Sequence, residues 1–373
     1  MMQILKKHIS MRNCNGESDG DQVDSCRGCV KLFISYICNN TSVISMGMML
    51  FKSSRPSVFQ GNLRKKKYFE GWYFKLVAED GKNIFSIIPG ISLSKDRHAF
   101  IQVIEGKNGN TDYTAFHINT FRSARNKFDI QIGDNHFSTE KISLNLSGEH
   151  FRIHGTVNFE KSVAWKGSLF SPGIMGWYTW VPFMECYHGV VSLDHSLTGM
   201  LNINDNNVDF SSGRGYTEKD WGRSFPECWV WAQGNCFDIP ATSFMFSVAK
   251  IPWLRKFFIG HLCFLLHNGK IYKFATWNGS ELAIRKNDEN KILASFAGKE
   301  NLLEVSITSD ISGRIKAPVF GAMERYIKES VDALITVKLS SINGKEIFNG
   351  TSVHAGLEVV GNVFQYFNKQ IIE

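Results

Sequence analysis

The sequence predicts an all-β protein built as two tandem lipocalin-like antiparallel barrels, with one short helix near the C-terminus. Three observations carry this expectation. From Lys66 onward, short apolar runs alternate at period two and close on Gly, Asn or Asp roughly every ten positions, as in "KFDIQIGDNHF" and "KISLNLSGEHFRIHGTVNF". The composition, 13% aromatic with 32 Gly and only 8 Pro, favours strands and tight turns over helices. The same phrases also return after roughly 160 residues. "HAFIQVIEG" at His98 matches "HLCFLLHNG" at His261, "FSI" at Phe85 matches "FSV" at Phe246, and "GWYFK" at Gly71 matches "CWVWAQ" at Cys228.

Taken in order, residues 1–57 read as a poorly ordered arm or a leader. Its apolar run, Val30 to Phe51, is interrupted by Asn39, Asn40, Thr41 and Ser42 and makes a poor bilayer span. Glu17, Asp19, Asp21 and Asp24 set it apart from a plastid transit peptide, which is acid-poor. Residues 58–212 and 213–373 form the two barrels, with the junction somewhere between Ser196 and Trp229. Roughly 150 residues each suits about eight strands around one small apolar ligand. The helix is expected over Gly321–Leu334 as a lid or plug, with Arg325 and Glu329 paired one turn apart.

Composition excludes several function classes. A net charge of +7 comes partly from the run Arg64–Lys67, and without a recognised motif or basic helix it does not indicate nucleic acid. It does allow weak peripheral attraction to an anionic membrane face. Cys26 and Cys29 form a lone CxxC with no second pair, so no metal is expected there. Cys186, Cys228, Cys236 and Cys263 read as small buried residues of a reducing compartment, which suggests an intracellular, cytoplasmic protein with membrane association. No GxSxG elbow, P-loop, HExxH or helix-opening GxGxxG occurs, so hydrolase and nucleotide readings fall.

Four segments break the strand alternation. "KKYFEGWYFKL" places Glu70 beside Phe69 and Trp72, either as a functional acid or as the partner of a nearby Lys or Arg. Between Ser168 and Gly199 lies a long apolar loop, Pro172–Pro182, carrying Trp177. That loop roofs a pocket, binds a partner surface or touches lipid. Glu185, His188, Asp194 and His195 follow it, either near that roof or as satisfied polar residues at a barrel rim. The third segment, "GRGYTEKDWGRSFPECWVWAQ" from Gly213, crowds Glu218, Lys219 and Asp220 against Tyr216, Trp221, Trp229 and Trp231. A carboxyl in such dry aromatic surroundings is held neutral and becomes a proton donor, and the rings stabilise a cation. The plain alternative is a charged network at a domain junction. The fourth segment is the expected helix itself.

"YFEGWYFK", "VPFMECYHGVVSLDHSLTG" and "GRGYTEKDWGRSFPECWVW" together resemble the tocopherol cyclase family, from about Tyr68 to the C-terminus. That family is similar to lipocalin-like double-barrel proteins that include hydroxyneurosporene synthase. The resemblance implies a cofactor-free reaction in which an acid protonates the double bond of a prenylated hydroquinone and the phenol oxygen closes a chromanol ring. The wider group's Gly-Tyr/Trp-x-acid-x-x-Trp-Gly phrase falls on Glu218, followed by Trp221 and Gly222. Glu218 is then the acid and Glu70 the second choice, with Tyr216 and Trp221 as positioning and wall. Lys219 is an orienting cation, and Trp72, Trp177, Trp229, Trp231, Glu185 and His188 are substrate-binding. A carotenoid or other isoprenoid alkene remains an alternative substrate, hydration an alternative reaction, and a lipocalin-like carrier an alternative function.

Overall fold

The computed structural model describes residues 52, 55–168, 171–182, 184–253, 256–288 and 290–367. Expectations about the arm up to residue 51, including the Cys26–Cys29 pair, lie outside these residues. The period-two runs become strands with their apolar positions on one side. In Lys141–Ser147, for example, Ile142, Leu144 and Leu146 are buried between exposed or half-buried neighbours.

Two antiparallel sheets result. The first runs, neighbour to neighbour, Thr111–His117, Arg97–Glu105, Ile84–Leu93, Tyr68–Val77, Arg214–Gly222, Cys186–Ile203, Arg152–Glu160, Lys141–Ser147, Asn135–Ser138, Asp129–Ile132 and Phe121–Ser123. The second runs Lys270–Ala275, Lys256–His267, Ser243–Trp253, Trp229–Gly234, Glu346–Val360, Ala322–Ser341, Asn301–Thr308, Lys291–Ala297 and Glu281–Asp288. In each sheet the two end strands are consecutive in the chain, joined by the short 3-10 turns Ile118–Thr120 and Thr276–Asn278. Each sheet therefore curls back around its own core.

The strand Arg214–Gly222 belongs to the first sheet, between Tyr68–Val77 and Cys186–Ile203. The junction expected at 212/213 thus moves to the link between Gly222 and Trp229. The expected helix is also corrected. Ala322–Ser341 is one long strand, in which Glu324, Tyr326 and Lys328 are exposed while Ile327, Glu329 and Val331 are buried. The β-branched continuation through Ile335, Thr336 and Val337 and the two flanking ladders outweigh the local helical spacing. Arg325 does not pair with Glu329 but donates to the carbonyls of Pro226 and Glu227, at 3.0 and 2.8 Å.

The repeat is one of topology. Tyr68–Val77 and Trp229–Gly234 hold the same place, each flanked by the strand that follows in its sheet and by a late-returning strand, Arg214–Gly222 or Glu346–Val360. Letter by letter, two of the three matched phrases are out of phase. Ala99, Ile101 and Val103 point into the first core, but their counterparts in the ungapped match, Leu262, Phe264 and Leu266, face the other sheet. A slip of one residue in a strand exchanges its two faces.

Three apolar cores follow. One lies inside the first sheet and one inside the second, and the third, with Tyr73, Val190, Tyr216, Trp229, Trp231 and Phe264, lies between them. The first interior is filled by stacked rings, Trp72 on Phe128 at 5.5 Å and Phe74 beside Phe137 at 5.8 Å. The cavity that holds the acidic side chains opens between the two sheets, against the expectation of a ligand inside a barrel.

Candidate active site

Strand alternation sorts the crowded charges of Tyr216–Trp221. Tyr216, Glu218 and Asp220 face the second sheet, so Lys219 and Trp221 must face the interior of the first. There the Lys219 ammonium meets Glu70 Oε1 at 2.5 Å, with both side chains fully buried. Lys219 also donates to the carbonyls of Pro56 and Val58. Glu70 accepts from the Gln60 and Gly61 amides at 2.7 and 2.9 Å and from the Tyr68 hydroxyl at 2.5 Å. The pair fastens residues 56–61 onto the sheet, and both carboxyl oxygens of Glu70 are occupied. Glu70 is the partner of a lysine, the plainer of its two expected roles, and Glu70, Lys219 and Trp221 do not line the cavity. Residues 56 and 57, expected in the arm, are part of this fastening: the Trp72 indole donates to the Ser57 carbonyl at 2.8 Å.

On the other face, Glu218 is buried in the wall of a cavity of about 160 Å³, lined by rings and aliphatic groups that include Phe100, Met175, Trp229, Trp231 and Ile251. Its Oε2 accepts from the Tyr216 hydroxyl at 2.7 Å and from the Trp231 indole at 3.3 Å. His188 approaches the same oxygen with Nε2 at 3.6 Å while its Nδ1 bonds Asp220 Oδ1 at 3.0 Å. Burial pushes the Glu218 carboxyl up, to about 7; the His188 charge opposes this and Asp220 adds to it. Burial alone would lower His188, but Asp220 and Glu218 outweigh it and raise the imidazole to about 9. Near neutral pH the site presents an imidazolium beside a protonatable carboxyl.

Two further carboxyls reach the cavity from the second sheet, Glu329 and Glu358. Burial drives Glu329 far above the ordinary carboxyl range, with Glu358 adding to the effect. Glu358, again chiefly by burial, rises to about 8 although the Trp229 indole donates to it at 2.6 Å. Neither acid was singled out for the site from the sequence. The signal lay in the alternation Ile327, Glu329, Val331, an acid on the buried side of a strand.

Of the expected site residues, Glu218, Tyr216, Trp229, Trp231, His188 and Glu185 come together, and Trp72 adds to the wall from the first interior. Trp177 does not: it stacks on Tyr178 at 4.1 Å, and the loop's contribution to the cavity is Met175. Asp194 is held by Arg214 through two bonds of 3.0 and 2.5 Å, and His195 bonds Ser192 at 2.9 Å. An open cleft of about 410 Å³ adjoins the cavity and shares Glu185, Phe225, Pro226 and Pro252 with it.

His188, Glu218 and Asp220 offer ligand atoms within 4.8 Å of one another, enough in principle to hold a cation. A metal would first have to expel the proton that the two carboxyls hold on His188 and break its bond to Asp220. The arrangement as it stands is a proton network.

The sequence matches the family described as "Tocopherol cyclase-like" over residues 156–361. This span includes every carboxyl of the cavity. The maize (Zea mays) protein "Tocopherol cyclase, chloroplastic" is 26% identical over 206 residues, which are 50% of this chain and 41% of that one. The chain thus spans less than half the length of this relative. Among solved structures, kievitone hydratase from Nectria haematococca aligns with a TM-score of 0.47 at 11% identity, covering 79% of this chain and 89% of its own. The structure of CghA with Sch210972 aligns with a TM-score of 0.49 at 11% identity, covering 79% and 88%.

Proposed function

The chain belongs to the tocopherol cyclase-like family, and from that premise we propose that it closes a chromanol ring from a prenylated hydroquinone by protonating an isoprenoid double bond. One observation carries the reading: a carboxyl that stays protonated up to about pH 7, Glu218, sits in an aromatic cavity wall with its donors already placed. Glu218 gives its proton to the alkene, and the faces of Trp229 and Trp231 stabilise the tertiary cation. The phenol oxygen then bonds to that carbon and loses its proton, so substrate and product have the same composition. The Glu218 carboxylate left behind is met by Tyr216, Trp231 and the His188 imidazolium, which need not reorganise. A proton given and a proton taken require no cofactor.

Size supports a division of the substrate. A cavity of about 160 Å³ matches one ring, since a pocket of ~150 Å³ accepts benzene, while whole drug-sized ligands occupy ~300–1,000 Å³. The quinol ring with its adjoining double bond belongs at the cavity, and the tail runs along the cleft past Phe225, Pro226 and Pro252. Incubating the protein with a panel of prenyl hydroquinones tests this. A product isomeric with the quinol supports cyclisation, a product heavier by one water indicates a hydratase, and tight binding without product indicates a carrier.

A further inference from the structure

Cyclisation removes a proton from a phenol as well as adding one to an alkene, and Glu218 accounts only for the addition. Across the cavity, Glu329 and Glu358 stand directly opposite each other in the ladder between Ala322–Ser341 and Glu346–Val360. Residues so paired have Cβ atoms about 4.5–5.5 Å apart, and like charges there repel. Glu329 is 0% exposed, and neither of its oxygens has a hydrogen-bond partner among the described residues. Glu358 has the Trp229 indole. The other titratable groups acting on the pair are Glu218, Asp220, Tyr73, Cys186, Lys75 and His188; the Lys75 ammonium is spent on the His354 carbonyl, and His188 is bound to Asp220. Two adjacent carboxylates with no cation bound to either cannot both ionise, so the pair ionises only once, at Glu358, whose rise to about 8 is the smaller of the two. A fully buried carboxyl that closes no hydrogen bond of ordinary length, has only Tyr73 and Glu358 near it as protein donors, and lines a cavity is set to take a donor from outside.

We propose that the Glu329–Glu358 pair is the proton acceptor of the reaction, receiving the hydrogen of the substrate's phenol. The inference rests on the cyclisation reading above. The phenol O–H bond breaks and its proton goes to the singly protonated pair. The oxygen electron pair forms the C–O bond to the tertiary carbon, whose neighbour has taken the Glu218 proton. The pair then holds one proton too many and Glu218 one too few. Tyr73 stands between them: it is opposite Glu218 in the ladder, interacts with Glu329, and accepts from Ser86 Oγ at 2.7 Å, so its own hydrogen is available for relay.

The test compares Glu329→Gln and Glu358→Gln with the wild type, using prenyl hydroquinones of graded phenol acidity. Each variant is expected to lose about a hundredfold or more in kcat. Substrates with more acidic phenols should restore much of that loss, because a weaker base then suffices, and should not restore Glu218→Gln. Wild-type rates in both variants, or a loss indifferent to phenol acidity, overturn the proposal while leaving the cyclisation reading intact. A wild type that makes no chromanol overturns the reading and the acceptor role together. Infrared spectra then decide the retained proton alone: a protonated-carboxyl band at pH 7 that is altered in both variants supports it, and a band unchanged by either substitution refutes it.

Discussion

Lys219 and Glu70 meet inside the first sheet, ammonium to carboxylate at 2.5 Å, with neither side chain accessible to solvent. Breaking such a pair from one side strands the other charge in the interior, at a cost of about 3–5 kcal/mol. Lys219→Met should therefore lower Tm sharply in thermal unfolding. Adding Glu70→Leu should recover part of the loss, because no charge is then left alone. A Lys219→Met protein as stable as the wild type would remove the fastening role.

Glu218→Gln keeps an acceptor oxygen for Tyr216 and Trp231 but has no acidic proton to give. Turnover of a prenyl hydroquinone should fall by about 10²–10⁴, the usual range for a general acid. Far-UV circular dichroism should be unchanged, because the replacement has the same shape. Undiminished turnover would take Glu218 out of the chemistry.

Much of this site was legible in the sequence, and its errors share a cause. The density of charges and rings at Tyr216–Trp231 located the cavity wall, and the resemblance picked Glu218 from among its neighbours. What failed was the phase of the strands. Glu218, Lys219 and Asp220 read as one cluster, but in a strand the middle residue belongs to the opposite face, so Lys219 and Trp221 were assigned to a cavity that they cannot reach. The same phase separates His98, beside the Tyr113 hydroxyl, from its match His261, which lies against Phe296 inside the second sheet. Glu329 was hidden by a helical spacing that long-range pairing overrode. Glu358 looked unremarkable because only its ladder partners, Trp231 and Glu329, place it at the cavity.

Stability should decline as pH rises from 6.5 to 8; below 6.5 the buried neutral imidazoles of His195 and His261, lowered to about 3 and about 4, act in the opposite sense. Glu218 and Glu358 have folded values of about 7 and 8, above the 4.5 of an unperturbed Glu. Each therefore contributes stability that is complete below pH 4.5 and is lost as pH rises through its folded value. His188, raised from 6.5 to about 9, adds a loss of the same sign beginning above pH 6.5. Lys219, which burial lowers from 10.5 to about 8, acts in the opposite sense, but only above pH 8. Denaturant unfolding across this range checks the sign. Glu218→Gln should make the slope less negative up to pH 7, and a profile rising from pH 6.5 toward pH 8 would contradict the assignment.

His188 sets the pH at which the donor is lost. Its positive charge and the Trp231 indole hydrogen both favour the ionised form of Glu218, so removing either raises the carboxyl above its value of about 7. An enzyme that must start with Glu218 protonated loses kcat about tenfold per pH unit beyond that value. In His188→Gln and in Trp231→Phe the falling limb of the kcat profile should move to higher pH. The maximum should drop, because the carboxylate formed by proton transfer has lost a partner. Both variants retain the Tyr216 hydroxyl bond at 2.7 Å, which keeps the carboxyl in place. A limb that stays put, or moves down, would mean that the titration controlling turnover belongs to a group other than Glu218.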